Sequence, residues 1–414
     1  MTESILSHAF PNGLMLLGEP MRSVQSAAFT LLVPAGCAHD PPDRGGLSSF
    51  TCDMAMRGAG ERGSRQFILD LDNLGVEHHE SVSNSHTSFG GATVAENLFA
   101  TLTLYADMLR CPHLPEDQLE SSRQVALQEL CAVEDEPAQK TMLELRRRHY
   151  PDPWGQPAQG NREGLETTTI DDIRSHFARR YRPDGAILGV AGSFDWEPLK
   201  ELAGKLLGDW EPCPAEPISE RVPGARYTHF AYDSNQTQIG IAYPSVPYRD
   251  GDYYQARGAL GVLSGGASAR LFTEVRERRG LCYAVYATYH TLRDRGAVFC
   301  YAGTSADRAQ QTLGVTLGEL TRIARGVEDH ELKRLKACIK SALIMQQESS
   351  SARSSSIARD WYHLGRVQTL DEVGAKIDAL THHSINAYLA GHPPADFTIV
   401  TVGPQELEVP DGVL

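Results

Sequence analysis

The chain contains no C-x-x-C pair, no apolar run approaching the roughly 18 residues of a membrane span, and too few basic residues to offset its acids. Its eight cysteines (Cys37, Cys52, Cys111, Cys131, Cys213, Cys282, Cys300, Cys338) are scattered, without zinc-ribbon or thioredoxin spacing. Free, structural thiols in a reducing compartment are expected. Lys plus Arg number 39 against 53 Asp plus Glu, a net charge of −14, so no whole-chain footprint for a phosphate backbone exists and nucleic acid is not an expected partner. The opening MTESILSHAFPNGL lacks a basic leader and a long apolar stretch. A soluble protein is expected, cytoplasmic, or periplasmic if a leader has been removed.

What is present is an ordinary globular composition. Apolar residues make up 41%, charged residues 22%, and the mean hydropathy is −0.32. At 414 residues, two or more domains are expected. The chain also repeats itself. QIGIAYP, a loop and DYYQARGALGVL mirror FTLLVPAG, a loop and GGLSSFTCDMAM. Leu119 in LPEDQLESSRQVALQEL matches Leu332 in VEDHELKRLKACIKSALIM at an offset of 213, and Ile173 matches Ile385 at 212. Strand-like runs such as AILGVAG and CYAVYATY alternate with long amphipathic helices predicted over 119–133 and 329–345, so each half is an α+β layer. Proline and mixed charge in EPCPAEPISERVPGAR place a linker at 211–226, between an N-terminal unit at 1–210 and a C-terminal unit at 227–414. The Ser-rich ESSSARSSSIARD is compatible with a flexible linker or with a polar helix start.

A strand ending VPAG followed by GGLSSFTCDMAMRGAGERGSRQF resembles the opening of the pitrilysin and mitochondrial processing peptidase family, the inverzincins. The resemblance runs almost end to end, through RQVALQELCAVEDEP, PWGQPAQGNREGLETTTIDDIRSHFARRYRPDGAILGVAG and SGGASARLFTEVRERRGLCYAVYATY. It implies two homologous α+β units of metallopeptidase type. In catalytic members a helix carries H-x-x-E-H, whose imidazoles bind zinc and whose Glu activates the metal-bound water. The corresponding positions are Ser49, Cys52 and Asp53, so all three roles are lost. A third family ligand, a Glu about 76 residues on, falls on Glu129. One carboxylate cannot hold catalytic zinc, and no metal ligand or cofactor is assigned to this chain. A substituted set of Cys52, Asp53 and Glu129 is the alternative, weakened because adjacent helical positions point about 100° apart.

The resemblance also implies a substrate-binding pair in VRERRGLCYAVY. Relatives use a matching Arg and Tyr, seven apart, to grip peptide near the scissile bond, and these are Arg276 and Tyr283, with Gly280 as a left-handed cap between them. The plainer reading is a solvated helix end and a core-facing tyrosine. His78 and His79 lie on opposite faces of a predicted strand, His382 and His383 follow a capping Thr381, and SGGASAR lacks the G-K-[ST] ending of a phosphate loop. None of these is expected to be a site.

Three functions are consistent with this reading. The first is a non-catalytic, substrate-binding subunit of a two-chain zinc metallopeptidase acting on peptides or unfolded polypeptides, its zinc carried by a catalytic H-x-x-E-H partner of the same family. The second is a structural scaffold subunit without proteolytic role. The third is an active peptidase with substituted ligands.

Overall fold

The runs ILGVAG and TIVTVG have no polar side to show water, and both become strands buried along their whole length, Ile187–Gly192 and Thr398–Gly403. Each sits inside a separate sheet. The computed structural model describes residues 5–222, 224–410 and 412, and divides into two units, neither of them continuous in sequence. One comprises residues up to 132, 156–220 and 345–368; the other comprises 133–155, 221–344 and 369 onward.

In the first unit, β1 (Leu6–Ala9), β2 (Met15–Pro20), β3 (Ser26–Val33), β6 (Glu77–Val82), β7 (Thr87–Val94) and β8 (Ile187–Gly192) form a six-stranded sheet in the order β1-β2-β8-β3-β7-β6. A two-residue hairpin, β4 (Gly58–Ala59) with β5 (Arg62–Gly63), stands apart. Only β2 and β8 pair in parallel. The second unit contains β9 (Tyr227–Ala231), β10 (Gln236–Ser245), β11 (Cys282–Thr291), β12 (Gly296–Ser305) and β13 (Thr398–Gly403) in the order β11-β12-β10-β13-β9, again with one parallel pair, β9 with β13. With β1 set aside the two orders coincide, which is the duplication predicted from the 212–213 offset. The predicted long helices are also present, as Leu119–Glu134 and Asp329–Gln346. Among the described residues no helix is long and apolar enough to cross a membrane.

One face of each sheet carries the main core, with Phe50, Phe67 and Tyr105 in the first unit and Leu263, Leu313 and Ile385 in the second. The other face is covered by a helix from the opposite half of the sequence. Helix Ser350–Leu364, which contains the Ser-rich stretch, lies on β3 and β8 of the first unit. Helix Pro137–His149 lies on β10 and β13 of the second. Small side chains allow the close approach: a methyl group added at Gly189 would meet the Ser354 carbonyl oxygen at 2.8 Å. Thr30 Oγ1 is 3.1 Å from Ser354 Oγ, and Ile357 and Ala358 seal against Leu17 and Ile187. Arg353 reaches the sheet from this helix, donating from Nε and Nη2 to Glu19 at 2.7–3.0 Å, both side chains under 10% exposed.

Candidate functional site

The degenerate motif lies on helix Leu47–Ala55, beside edge strand β6. Its start is fixed by Gly46, at φ +99°, and by Asp40, whose carboxylate accepts hydrogen bonds from the Gly46 and Ser48 amides at 3.0 Å and from Ser48 Oγ at 2.5 Å. Burial outweighs those bonds and pushes the Asp40 carboxyl up to about 7. Behind it, Ser48 Oγ lies 3.3 Å from His176 Nε2. Burial, reinforced by the positive charge of Arg180, holds His176 down at about 3.

Each position of this helix that would carry zinc chemistry has another occupation. Ser49 Oγ donates to the Ala158 carbonyl at 2.7 Å. Cys52 is 5% exposed, and burial together with the carboxylates of Glu80 and Asp53 drives its thiol far above the usual range, so it is no thiolate. Asp53 accepts from Arg57 Nε at 2.8 Å, one helical turn away, and from Ser122 Oγ. Glu129 is exposed on helix Leu119–Glu134. Among the described residues no group of three or more His, Cys, Asp or Glu is placed to hold an ion. A neutral hydroxyl engaged elsewhere, a protonated thiol and a carboxylate neutralised by arginine do not fit zinc.

The predicted histidine readings agree with the structure. His78 and His79 alternate along β6, with His78 Nδ1 2.9 Å from Glu80, and Thr381 caps helix His382–Gly391.

In the second unit, Arg276 and Tyr283 do come together. The sequence predicts an ordinary helix end around Arg276; the structure has a π-helical turn, Phe272–Glu277, one of the rare wide turns frequent at functional sites. Gly280, at φ +59°, reverses the chain as predicted, with its N–H donating to the Arg276 carbonyl and that of Leu281 to Val275, both at 3.0 Å. Tyr283 then falls at a break in the β11–β12 register between Cys282 and Ala284. The bulge turns its ring outward, leaving it 84% exposed on an edge strand. The Arg276 guanidinium stands 5.2 Å from the Tyr283 ring centre and 4.8 Å from that of Phe272.

Neighbouring arginines are differently employed. Glu274 binds Arg278 at 2.6 Å and Arg279 at 2.7 Å, bonds that hold its carboxyl below the usual range. Among the described residues neither the Arg276 guanidinium nor the Tyr283 hydroxyl has a hydrogen-bond or ion-pair partner. Sequence reasoning missed Phe272 and Glu274. The i,i+4 spacing of Glu274 and Arg278 was the available sign that Arg278 is a structural arginine.

Residues 19–152 match the family described as insulinase (peptidase family M16), and residues 167–338 match the peptidase M16 inactive domain. The uncharacterized zinc protease YmxG of Bacillus subtilis is 26% identical over 406 residues, covering 95% of this chain and 97% of that protein. The fold is shared with solved structures. A peptidase M16 inactive domain from Pseudomonas fluorescens aligns with TM-score 0.90 at 20% identity, over 98% of this chain and 100% of that one. A protease from Helicobacter pylori aligns with TM-score 0.88 at 19% identity, over the same shares. With both matched segments in order and together spanning most of the sequence, the chain belongs to peptidase family M16, the pitrilysin-like family that its motifs resemble.

Proposed function

We propose that this chain is the non-catalytic, peptide-binding subunit of a two-chain zinc metallopeptidase. The observation that carries the reading is the Arg276–Tyr283 pair, the tyrosine exposed on a sheet edge and the half-buried arginine of the π turn stacked beside it, both without a hydrogen-bond or ion-pair partner among the described residues, in a chain whose motif helix cannot supply a zinc donor set. The guanidinium and phenol donate to peptide carbonyl oxygens, and the phenol opposes negative charge as it develops on an attacked carbonyl. The free edge of β11 receives an extended substrate by strand addition, in which backbone hydrogen bonds give affinity with little sequence demand. A family partner with intact H-x-x-E-H supplies the metal, which makes water nucleophilic.

A scaffold role is the second reading. It is favoured by the way Ser49, Cys52 and Asp53 have each been absorbed into packing. Metal analysis and peptide cleavage decide between these readings. The purified chain alone is expected to carry no stoichiometric zinc and to leave unfolded peptides intact, and mixing with an H-x-x-E-H relative is expected to produce cleavage that this chain accelerates. A mixture no faster than the relative alone supports the scaffold. Chelator-sensitive cleavage by the lone chain overturns both.

A further inference from the structure

The face of the second sheet that helix Pro137–His149 covers is left open at its edge. That helix lies on β10 and β13, with Thr141 and Leu145 against Gly240. Gly240 is opposed by Tyr301 on β12, and Tyr301 by Tyr286 on β11, and directly opposed residues share a face. Tyr286 is therefore on the helix-covered side but beyond the helix, 42% exposed, while Val285 and Ala287 point into the core. Against its ring lies that of Tyr301, with centres 5.2 Å apart and planes tilted by 35°. Tyr301 is buried and fixed: its hydroxyl donates to Gln238 Oε1 at 2.6 Å, in space left by Gly303, where an added methyl group would stand 2.8 Å from that hydroxyl. A held ring thus supports an exposed one, three residues along β11 from Tyr283, or roughly 10 Å.

The edge itself restricts where a peptide can add. The Ala287 N–H donates to Ser264 Oγ at 2.7 Å, so it points away from β12. Alternation turns the N–H and C=O of Val285 to the same open side, where among the described residues no side chain bonds them. With the Ala287 amide taken, Val285 is the pairing position left between Tyr283 and Tyr286. An extended chain exchanging both backbone hydrogen bonds with Val285 puts its next residue opposite Tyr286 in a non-hydrogen-bonded pair, the closer kind, with Cα atoms about 4.5 Å apart. That residue projects onto the Tyr286 ring. An aromatic side chain gains most there, because offset or edge-to-face packing adds to the area buried.

We infer that Tyr286 sets the preference of this edge for its peptide, taking an aromatic side chain of the bound strand against its ring. The substrate class is an unfolded peptide with Phe, Tyr or Trp near the bond held at Tyr283. This rests on the peptide-binding reading of Arg276 and Tyr283 and adds a requirement that reading does not make.

The test is binding by the purified full chain, followed by fluorescence anisotropy of a labelled unstructured peptide of Thr, Val and Ser carrying one Phe, beside the same peptide with Ser in place of Phe. The Phe peptide should bind about fivefold or more tighter, a preference that Tyr286→Ala abolishes while binding of the Ser peptide stays unchanged. Unchanged Ser-peptide binding also reports an intact fold; should Tyr286→Ala not fold, Tyr286→Thr, with a strong strand former, takes its place. Tyr283→Ala should weaken both peptides alike. Equal binding of the two peptides by the unmodified chain, or a Phe preference that persists without Tyr286, overturns the inference and leaves the peptide-binding reading standing. Binding of neither peptide, or binding that Tyr283→Ala does not weaken, counts against that reading and takes the inference with it.

Discussion

At the scale of single residues, the Tyr283 hydroxyl carries the functional proposal and the Cys52 thiol carries its negative counterpart. In a reconstituted pair, Tyr283→Phe should lower turnover by about tenfold or more, measured as kcat with KM little changed, if the hydroxyl acts on the transition state. An unchanged kcat would point to the scaffold. Cys52, buried and protonated, should resist a thiol reagent in the native chain while the exposed Cys111 and Cys338 react, as counted by mass spectrometry after brief labelling. The buried imidazoles set the acid response. His176 is held at about 3 in the fold against 6.5 as its ordinary value. Its contribution to stability is therefore whole above pH 6.5 and is lost as pH falls toward 3, because the unfolded chain takes the proton first. His39, held down at about 4, acts in the same direction. Asp40, at about 7, works the other way, stabilising below its unfolded value and ceasing to do so as pH rises through 7. His176→Gln should flatten the acid slope between pH 6 and 4 by up to about 1.4 kcal/mol per pH unit, measured by urea unfolding at several pH values.

Among the elements, helix Ser350–Leu364 is the most informative. Its sequence left linker and helix open, since six serines between 349 and 356 carry little apolar periodicity. The structure resolves it through tertiary contact: the serines are what let the helix settle close on β3 and β8, and Arg353 anchors it. Arg353→Ala would strand Glu19 without a counter-charge and should destabilise by about 3–5 kcal/mol, whereas replacing both partners by apolar residues should recover much of the loss, read as urea midpoints. Strand runs, the paired long helices and the Gly280 reversal were legible because each is written in local periodicity or in one conformational requirement. The sheet that a helix covers was not, because a 3.6-residue stripe records that a face is buried and leaves its partner unnamed. The π turn and the Tyr283 bulge escaped for a related reason: both arise where an element's own repeat is broken by its neighbours.

Over the whole molecule, the repeat predicted from sequence and the units found in the structure are different divisions of one chain. Residues 1–210 hold six strands of a sheet but not the helix that covers its outer face, and residues 227–414 lack Pro137–His149 in the same way. Expressed separately, each half should show broadened or absent cooperative unfolding and bind a hydrophobic dye; co-expression should restore a sharp transition, followed by calorimetry.

The exchange of helices has a consequence for how the protein is made. The last strand of the first sheet leaves the ribosome well before residue 364, and at about 5–20 residues per second the gap is on the order of ten seconds. During that interval Leu17, Ile187 and their neighbours lack the helix that buries them in the finished fold, and apolar surface left open in this way on a nascent chain is prone to aggregate.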